Sequence, residues 1–261
     1  MKPDVRVILI GVAVLAVLAI YAFTNMDFSG KNIEIKKADF AALYAVDSTE
    51  VDVGLPQNIA AADSMEEKKV VYNPDTAQNI LFVGDSMLEG LTRRFIDYAE
   101  ENGHNLHTVI WYSSTSEIWA NTDTLQYFIN KDKPSYVVIC LGGNELFVRD
   151  IDKRKEYIKK IVGKIGDIPY VWVGPPNWKE DTGINDAILS VVGDNRFFLS
   201  KNLKMERKSD HAHPTYPAAA VWMDTIARWL SSPQRRFPVK MQWPEKDVKP
   251  HNVTMLSPLR D

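Results

Sequence analysis

Asn79-Ile80-Leu81-Phe82-Val83-Gly84-Asp85-Ser86-Met87-Leu88-Glu89-Gly90 is the stretch on which the fold of this chain turns. Ile80–Val83 is apolar throughout, and Gly84-Asp85-Ser86 ends the run. From Met87 the apolar positions recur at helical spacing through Leu91, Phe95 and Tyr98. The pattern predicts a strand, a tight turn and a helix, with Ser86 at the junction. Ligands of open α/β sheets bind at the carboxyl ends of the strands. A serine there lies beside the unpaired N–H groups at the positive end of the helix. An oxyanion formed at that point meets donors already aimed at it. The same residues fit a structural role, because aspartate and serine are both favourable helix N-caps.

Downstream, strands and helices alternate. His107–Tyr112 reads as a second strand, followed by the polar loop Ser113-Ser114-Thr115-Ser116, and Thr122–Asn130 as a helix. Tyr136–Leu141 is apolar at every position, as a strand buried on both faces must be, and Gly142-Gly143-Asn144-Glu145 follows it. A helix over Asp152–Ile165, a strand at Tyr170–Val173, a helix near Ile184–Val192 and a short strand at Arg196–Leu199 come next. The loop Arg207–Pro214 then leads to an amphipathic helix, Pro217–Leu230. This order implies a parallel sheet covered by helices on both faces.

Upstream, Lys2 and Arg6 precede an uninterrupted apolar run, Val7–Phe23, long enough to span a bilayer. No convincing cleavage site follows it, so residues 1–26 are expected to be an uncleaved signal anchor. The basic start in the cytoplasm puts the rest of the chain outside. Residues 27–78 mix charge runs with short apolar pieces and read as a stalk. The α/β domain is placed at 79–231. A tail, 232–261, rich in proline and charge, is expected to wrap the surface or to be partly disordered, with Met241 and Trp243 as anchors. The formal net charge of −3 gives no footprint for nucleic acid. The single cysteine, Cys140, excludes an intramolecular disulfide or a cysteine-based zinc site, and its apolar setting marks it as a buried thiol.

Polar residues suited to one job stand in the loops after the strands. Ser86 follows the first. Asn144, whose side-chain amide can donate to an oxyanion, follows the central one. Asp210 stands three residues before His213, where it can hold the Nδ1–H and leave Nε2 to take the serine's proton. Each alone has a bland reading as cap, turn or exposed histidine. Asp210, His211 and His213 also admit a metal, but no further ligand cluster accompanies them and serine chemistry needs none. No cofactor is expected.

The motifs Gly84-Asp85-Ser86-Met87, Leu141-Gly142-Gly143-Asn144-Glu145 and Asp210-His211-Ala212-His213-Pro214 resemble the first, third and fifth blocks of the SGNH (GDSL-like) hydrolase superfamily, in order. The α/β-hydrolase elbow needs a glycine two residues after the serine, where this chain has Leu88. The resemblance spans roughly Ile80–Leu230. It implies a three-layer α/β/α flavodoxin-like parallel sheet, with Ser86 as nucleophile, His213 as general base and Asp210 orienting it. It further implies an oxyanion site made by the Ser86 N–H, a second-block glycine N–H and the Asn144 side chain. Two positions depart from the pattern. The second block here has serines and no glycine, so Ser114 is the expected substitute donor, with Gly143 beside Asn144. Glu145 stands where the family often has aspartate.

Three functions fit. The first is a membrane-anchored serine esterase removing O-acetyl or other O-acyl groups from an envelope or extracellular polysaccharide. The second is an O-acyltransferase component that passes the acyl group to a sugar beside a membrane-bound acyltransferase. The third is a degenerate glycan-binding or scaffold domain. Trp111, Trp119, Trp172 and Trp178 fall near strand ends or loops, where rings either stack on sugars or pack the core.

Overall fold

The computed structural model describes residues 72–259 and the backbone of 28–30 and 33–35. The latter pair as short antiparallel strands, β1 (Phe28–Gly30) and β2 (Ile33–Ile35), in a unit spanning Met1–Glu66. The apolar run Val7–Phe23 and most of 27–78 lie outside the described residues. Among the described residues no helix is long and apolar enough to cross a membrane.

The second unit, Glu67–Asp261, is built on a six-stranded parallel sheet. In chain order its elements are β3 (Asn79–Gly84), α1 (Leu88–Glu101), β4 (Asn105–Trp111), α2 (Ser116–Asn121), α3 (Thr124–Asp132), β5 (Tyr136–Cys140) and α4 (Ile151–Ile165). There follow β6 (Tyr170–Val173), α5 (Ile184–Val192), β7 (Phe197–Phe198), α6 (Tyr216–Leu230) and β8 (Val253–Leu256). The spatial order is β7-β6-β5-β3-β4-β8. The chain leaves β3 to one side to make β4, then crosses to the other side to make β5. The switch point where such sheets bind ligands is therefore the carboxyl end of β3 and β5.

Alternate residues of the same apolar runs feed two cores. Ile80, Phe82, Val138, Cys140 and Val171 pack with Leu91 and Phe95 of α1 and Trp222 and Ile226 of α6. Leu81, Val83, Val137, Ile139 and Trp172 pack with Trp119, Phe128, Ile158 and Ile188 of α2 to α5. The result is a three-layer α/β/α sandwich, and burial pushes the Cys140 thiol pKa well up. The layers close tightly at one point. A β-carbon on Gly84 would sit 2.1 Å from the Cys140 carbonyl oxygen and 2.5 Å from Leu88 Cδ1. With hydrogen there instead, the Asp85 N–H reaches the Cys140 carbonyl at 3.3 Å.

Two elements differ from the expectation. The polar loop after β4 ends sooner than expected, because Ser116–Asn121 forms α2, its Thr115 side chain accepting from the Ile118 N–H at 3.4 Å. The described part of the tail, 232–259, packs against the domain and adds a strand to its sheet. Val239 and Met241 are buried in the α1/α6 core, while Trp243 stays 62% exposed, edge-on to Tyr98 with Arg94 over its ring. Asn102 brackets Gln242 through both its side-chain oxygen and its amide. His104 takes the Gln78 N–H on Nδ1 and donates from Nε2 to the Lys240 carbonyl, and burial lowers its pKa. β8 then adds to β4 as a parallel edge strand. Its Thr254 hydroxyl meets His107 Nε2 at 2.9 Å, and His107 Nδ1 lies 2.6 Å from Asp132.

Thr254→Val keeps the β-branched shape but strands a buried imidazole nitrogen, at a cost of about 1–3 kcal/mol. Urea denaturation of the full chain should show a midpoint lowered accordingly. An unchanged midpoint would mean that the strand ladder alone holds β8.

Candidate active site

At the end of β3, Asp85 takes the capping role that the sequence left open between it and Ser86. Its Oδ1 accepts from the Met87 N–H at 2.9 Å and its carbonyl from the Leu88 N–H at 3.2 Å. The Ser86 side chain carries no capping bond, and its Oγ lies 2.8 Å from His213 Nε2.

His213 sits on a loop closed by its own backbone. Arg207 and Pro214 form an antiparallel bridge, and the Lys208 N–H donates to the His213 carbonyl at 2.8 Å. Asp210 Oδ1 accepts from the Ala212 and His213 N–H groups, each at 2.9 Å, and Oδ2 lies 2.8 Å from His213 Nδ1. These donors, the Ala212 N–H foremost, hold the Asp210 carboxyl well below the usual carboxylate range. A carboxylate at Nδ1 fixes the proton there, so Nε2 faces the serine as an acceptor. His211 is exposed, at φ 57°. The Arg207 guanidinium donates to the Ala212 carbonyl, and to those of Pro176 at 3.2 Å and Asn177 at 2.9 Å, fastening the histidine loop to the loop after β6.

On the opposite flank, the turn after β5 passes through Gly142 at φ 119° into a 3₁₀ turn, Gly143–Glu145. Asn144 Nδ2 donates one hydrogen to the Ser114 carbonyl at 2.9 Å and has a second to give. Gly143 is less free than expected. It stands against Asp85 Oδ2, which completes no hydrogen bond among the described residues. Its carbonyl accepts from Trp178 Nε1 at 2.9 Å, and a β-carbon there would sit 3.2 Å from Asp85 Oδ2. Ser114 is not the free donor anticipated. Its N–H goes to the Trp111 carbonyl at 3.1 Å, and its buried Oγ accepts from Trp119 Nε1 at 2.9 Å. The residue before it, Ser113, holds φ 58°, the left-handed conformation that glycine favours. Its N–H, like that of Ser86, meets no backbone acceptor among the described residues.

Two buried carboxylates brace this edge. Burial, with the Glu145 charge adding, pushes Asp85 up to about 7 against the pull of the Met87 N–H. Burial also raises Glu145, which accepts from the Ser116 N–H at 2.9 Å and the Ser116 hydroxyl at 2.6 Å and pairs with Arg154 at 3.4 Å. It lashes the start of α2 to the turn that bears Asn144. Glu89 ties the third side, accepting from Tyr216 at 2.9 Å and Tyr112 at 3.4 Å, with Lys208 Nζ at 3.6 Å. Glu89 and Arg207 escape sequence reasoning because each looks like an ordinary surface charge. Their partners come close only through the fold. Trp111, Trp119 and Trp172 are core residues, whereas Trp178 is half-buried. Among the described residues no three His, Cys, Asp or Glu side chains are grouped to hold a metal ion.

No protein-family model and no curated protein matches the chain. Among solved structures, the psychrotrophic esterase EstA from Pseudoalteromonas sp., inhibited by monoethylphosphonate, aligns at 19% identity and a TM-score of 0.45, over 59% of this chain and 99% of that one. A gut microbial diltiazem-metabolizing enzyme aligns at 11% identity and a TM-score of 0.40, over 61% of this chain and 48% of that one. Likeness so remote assigns no role to any residue. The functional reading rests on the geometry.

Asp85 has a folded pKa above its unfolded one, so its contribution to stability is full below about pH 4 and is lost as pH rises to about 7. The melting temperature should therefore fall between pH 4 and pH 7, and the fall should shrink in Asp85→Asn. An identical fall in both proteins would show that Asp85 does not carry it.

Proposed function

We propose that this chain is a serine esterase of the SGNH type, with Ser86 as nucleophile, His213 as general base and Asp210 holding the imidazole. The observation that carries the reading is the hydrogen-bond chain Ser86 Oγ–His213 Nε2–His213 Nδ1–Asp210 Oδ2, each contact at 2.8 Å. It links residues 127 apart in sequence.

In the first half-reaction, Ser86 Oγ attacks the ester carbonyl carbon while its proton passes to His213 Nε2. The carbon–oxygen bond to the alcohol then breaks, and His213 returns the proton to the departing oxygen. Water repeats the sequence on the acyl-Ser86 intermediate and releases the carboxylic acid. The oxyanion is held by the Ser86 N–H, the Ser113 N–H and the free hydrogen of the Asn144 amide. Asp210, ionised down to low pH by its backbone donors, stays an acceptor for Nδ1 across the working range.

The substrate we assign is an O-acylated, chiefly O-acetylated, carbohydrate outside the cytoplasm. The support is the apolar run Val7–Phe23 behind Lys2 and Arg6, which would hold the domain on the outer side of a membrane.

The full chain in detergent should hydrolyse p-nitrophenyl acetate and take an alkyl fluorophosphonate label, and Ser86→Ala should lose both. Wild type and Ser86→Ala equally inert and unlabelled would sink the reading. Asn144→Ala should lower kcat by about a hundred- to a thousandfold, the loss typical for one oxyanion donor. A kcat within a few-fold of wild type would remove Asn144 from the oxyanion site.

A further inference from the structure

We infer that Phe147, Trp178 and Lys179 form the alcohol-side subsite of the Ser86 centre, and that its ligand is an acidic pyranoside, a sugar ring bearing a carboxylate. The inference rests on the esterase reading above and names the substrate class for that same site.

Position comes first. Trp178 lies on the loop after β6, which is tied by hydrogen bonds to the Asn144 turn and, through Arg207, to the histidine loop. Its Nε1 is bonded to the Gly143 carbonyl, next to Asn144. One residue earlier, the Asn177 carbonyl is gripped by Arg207, which also holds Ala212 beside His213. The alcohol that departs as acyl-Ser86 forms, taking its proton from His213, therefore has this loop as a neighbour. Phe147 stands edge-on to Trp178, ring centroids 6.2 Å apart and planes at 80°.

Presentation comes second. Phe147 is 54% exposed, yet its backbone is pinned on either side, with Thr182 donating to the carbonyls of both Leu146 and Val148. Its ring packs edge-on to Trp178 and beneath Lys179 while more than half of the residue stays in water, an arrangement that suits a platform for the C–H face of a sugar.

Charge comes third. Lys179 Nζ rests 5.1 Å from the Phe147 ring centroid and 4.8 Å from that of Trp178, and it forms no ion pair among the described residues. An exposed ammonium over aromatic faces is weakly held. A neutral sugar would have to displace it for nothing in return. A sugar with a carboxylate draws the ammonium off the rings into an ion pair and stacks on the faces thus bared.

Binding is measured in the full chain carrying Ser86→Ala, by saturation-transfer NMR titration with the O-acetylated methyl glycosides of glucuronic acid and of glucose. The acidic glycoside should bind about two- to fivefold more tightly, on the scale of one exposed ion pair. Adding Lys179→Gln should abolish the preference while circular dichroism stays unchanged. Adding Phe147→Ala should weaken both ligands alike. Equal affinity for the two sugars, a preference that survives Lys179→Gln, or no saturable binding of either overturns the inference. Because no turnover is read, these outcomes are separate from failure of the esterase reading, which shows as inert wild type toward p-nitrophenyl acetate.

Discussion

The carboxyl edge of the sheet depends on how closely β3 and β5 approach as they leave it. Gly84 permits that approach by having no side chain to strike the Cys140 carbonyl or Leu88. The turns that follow the two strands are thereby pressed together, and Asp85 is sealed between them under Gly143. A bulkier residue at position 84 would separate the strands at the point where Ser86 and Asn144 are set. Glycine here is a spacing device for the site, and its backbone freedom is secondary.

Sealing Asp85 in sets up a contrast between two aspartates of the same centre. Asp85 has lost its water, meets one good donor and is pushed up to about 7. Asp210 keeps its water, meets two backbone N–H groups and the imidazole, and is held low. The first stiffens the turn at some expense in stability near neutral pH. The second, held ionised, keeps its carboxylate against Nδ1 of His213. Solvent access, rather than residue type, separates the two roles.

Much of this was legible in the sequence, and the rest was hidden for physical reasons. β3, β5 and α5 announce themselves because burial on both faces, or along one helical stripe, writes a period into the chain. The polar residues of Ser86, Asn144, Asp210 and His213 could be picked out because they end such runs. β8 could not. It is an edge strand half-open to solvent, held by the β4 ladder and by His107, and neither is a property of its own four residues. The sequence does not separate Ser113 from Ser114, because what distinguishes them is a left-handed φ at Ser113 and a Ser114 N–H committed to Trp111, and neither shows in the residue type. Glu89 and Arg207 act only through partners that the fold delivers.

The placement of β8 has a consequence for how the domain comes into being. The outer edge of β4 finds its partner 147 residues later, at the His107–Thr254 contact. A ribosome therefore delivers every residue of the candidate site before it delivers the strand that covers this edge. Until then β4 presents an open row of N–H and C=O groups, the template on which chains join one another. Long-range parallel pairing is also slow to form. The nascent domain thus spends its synthesis competent for the wrong partner until β8 takes that edge.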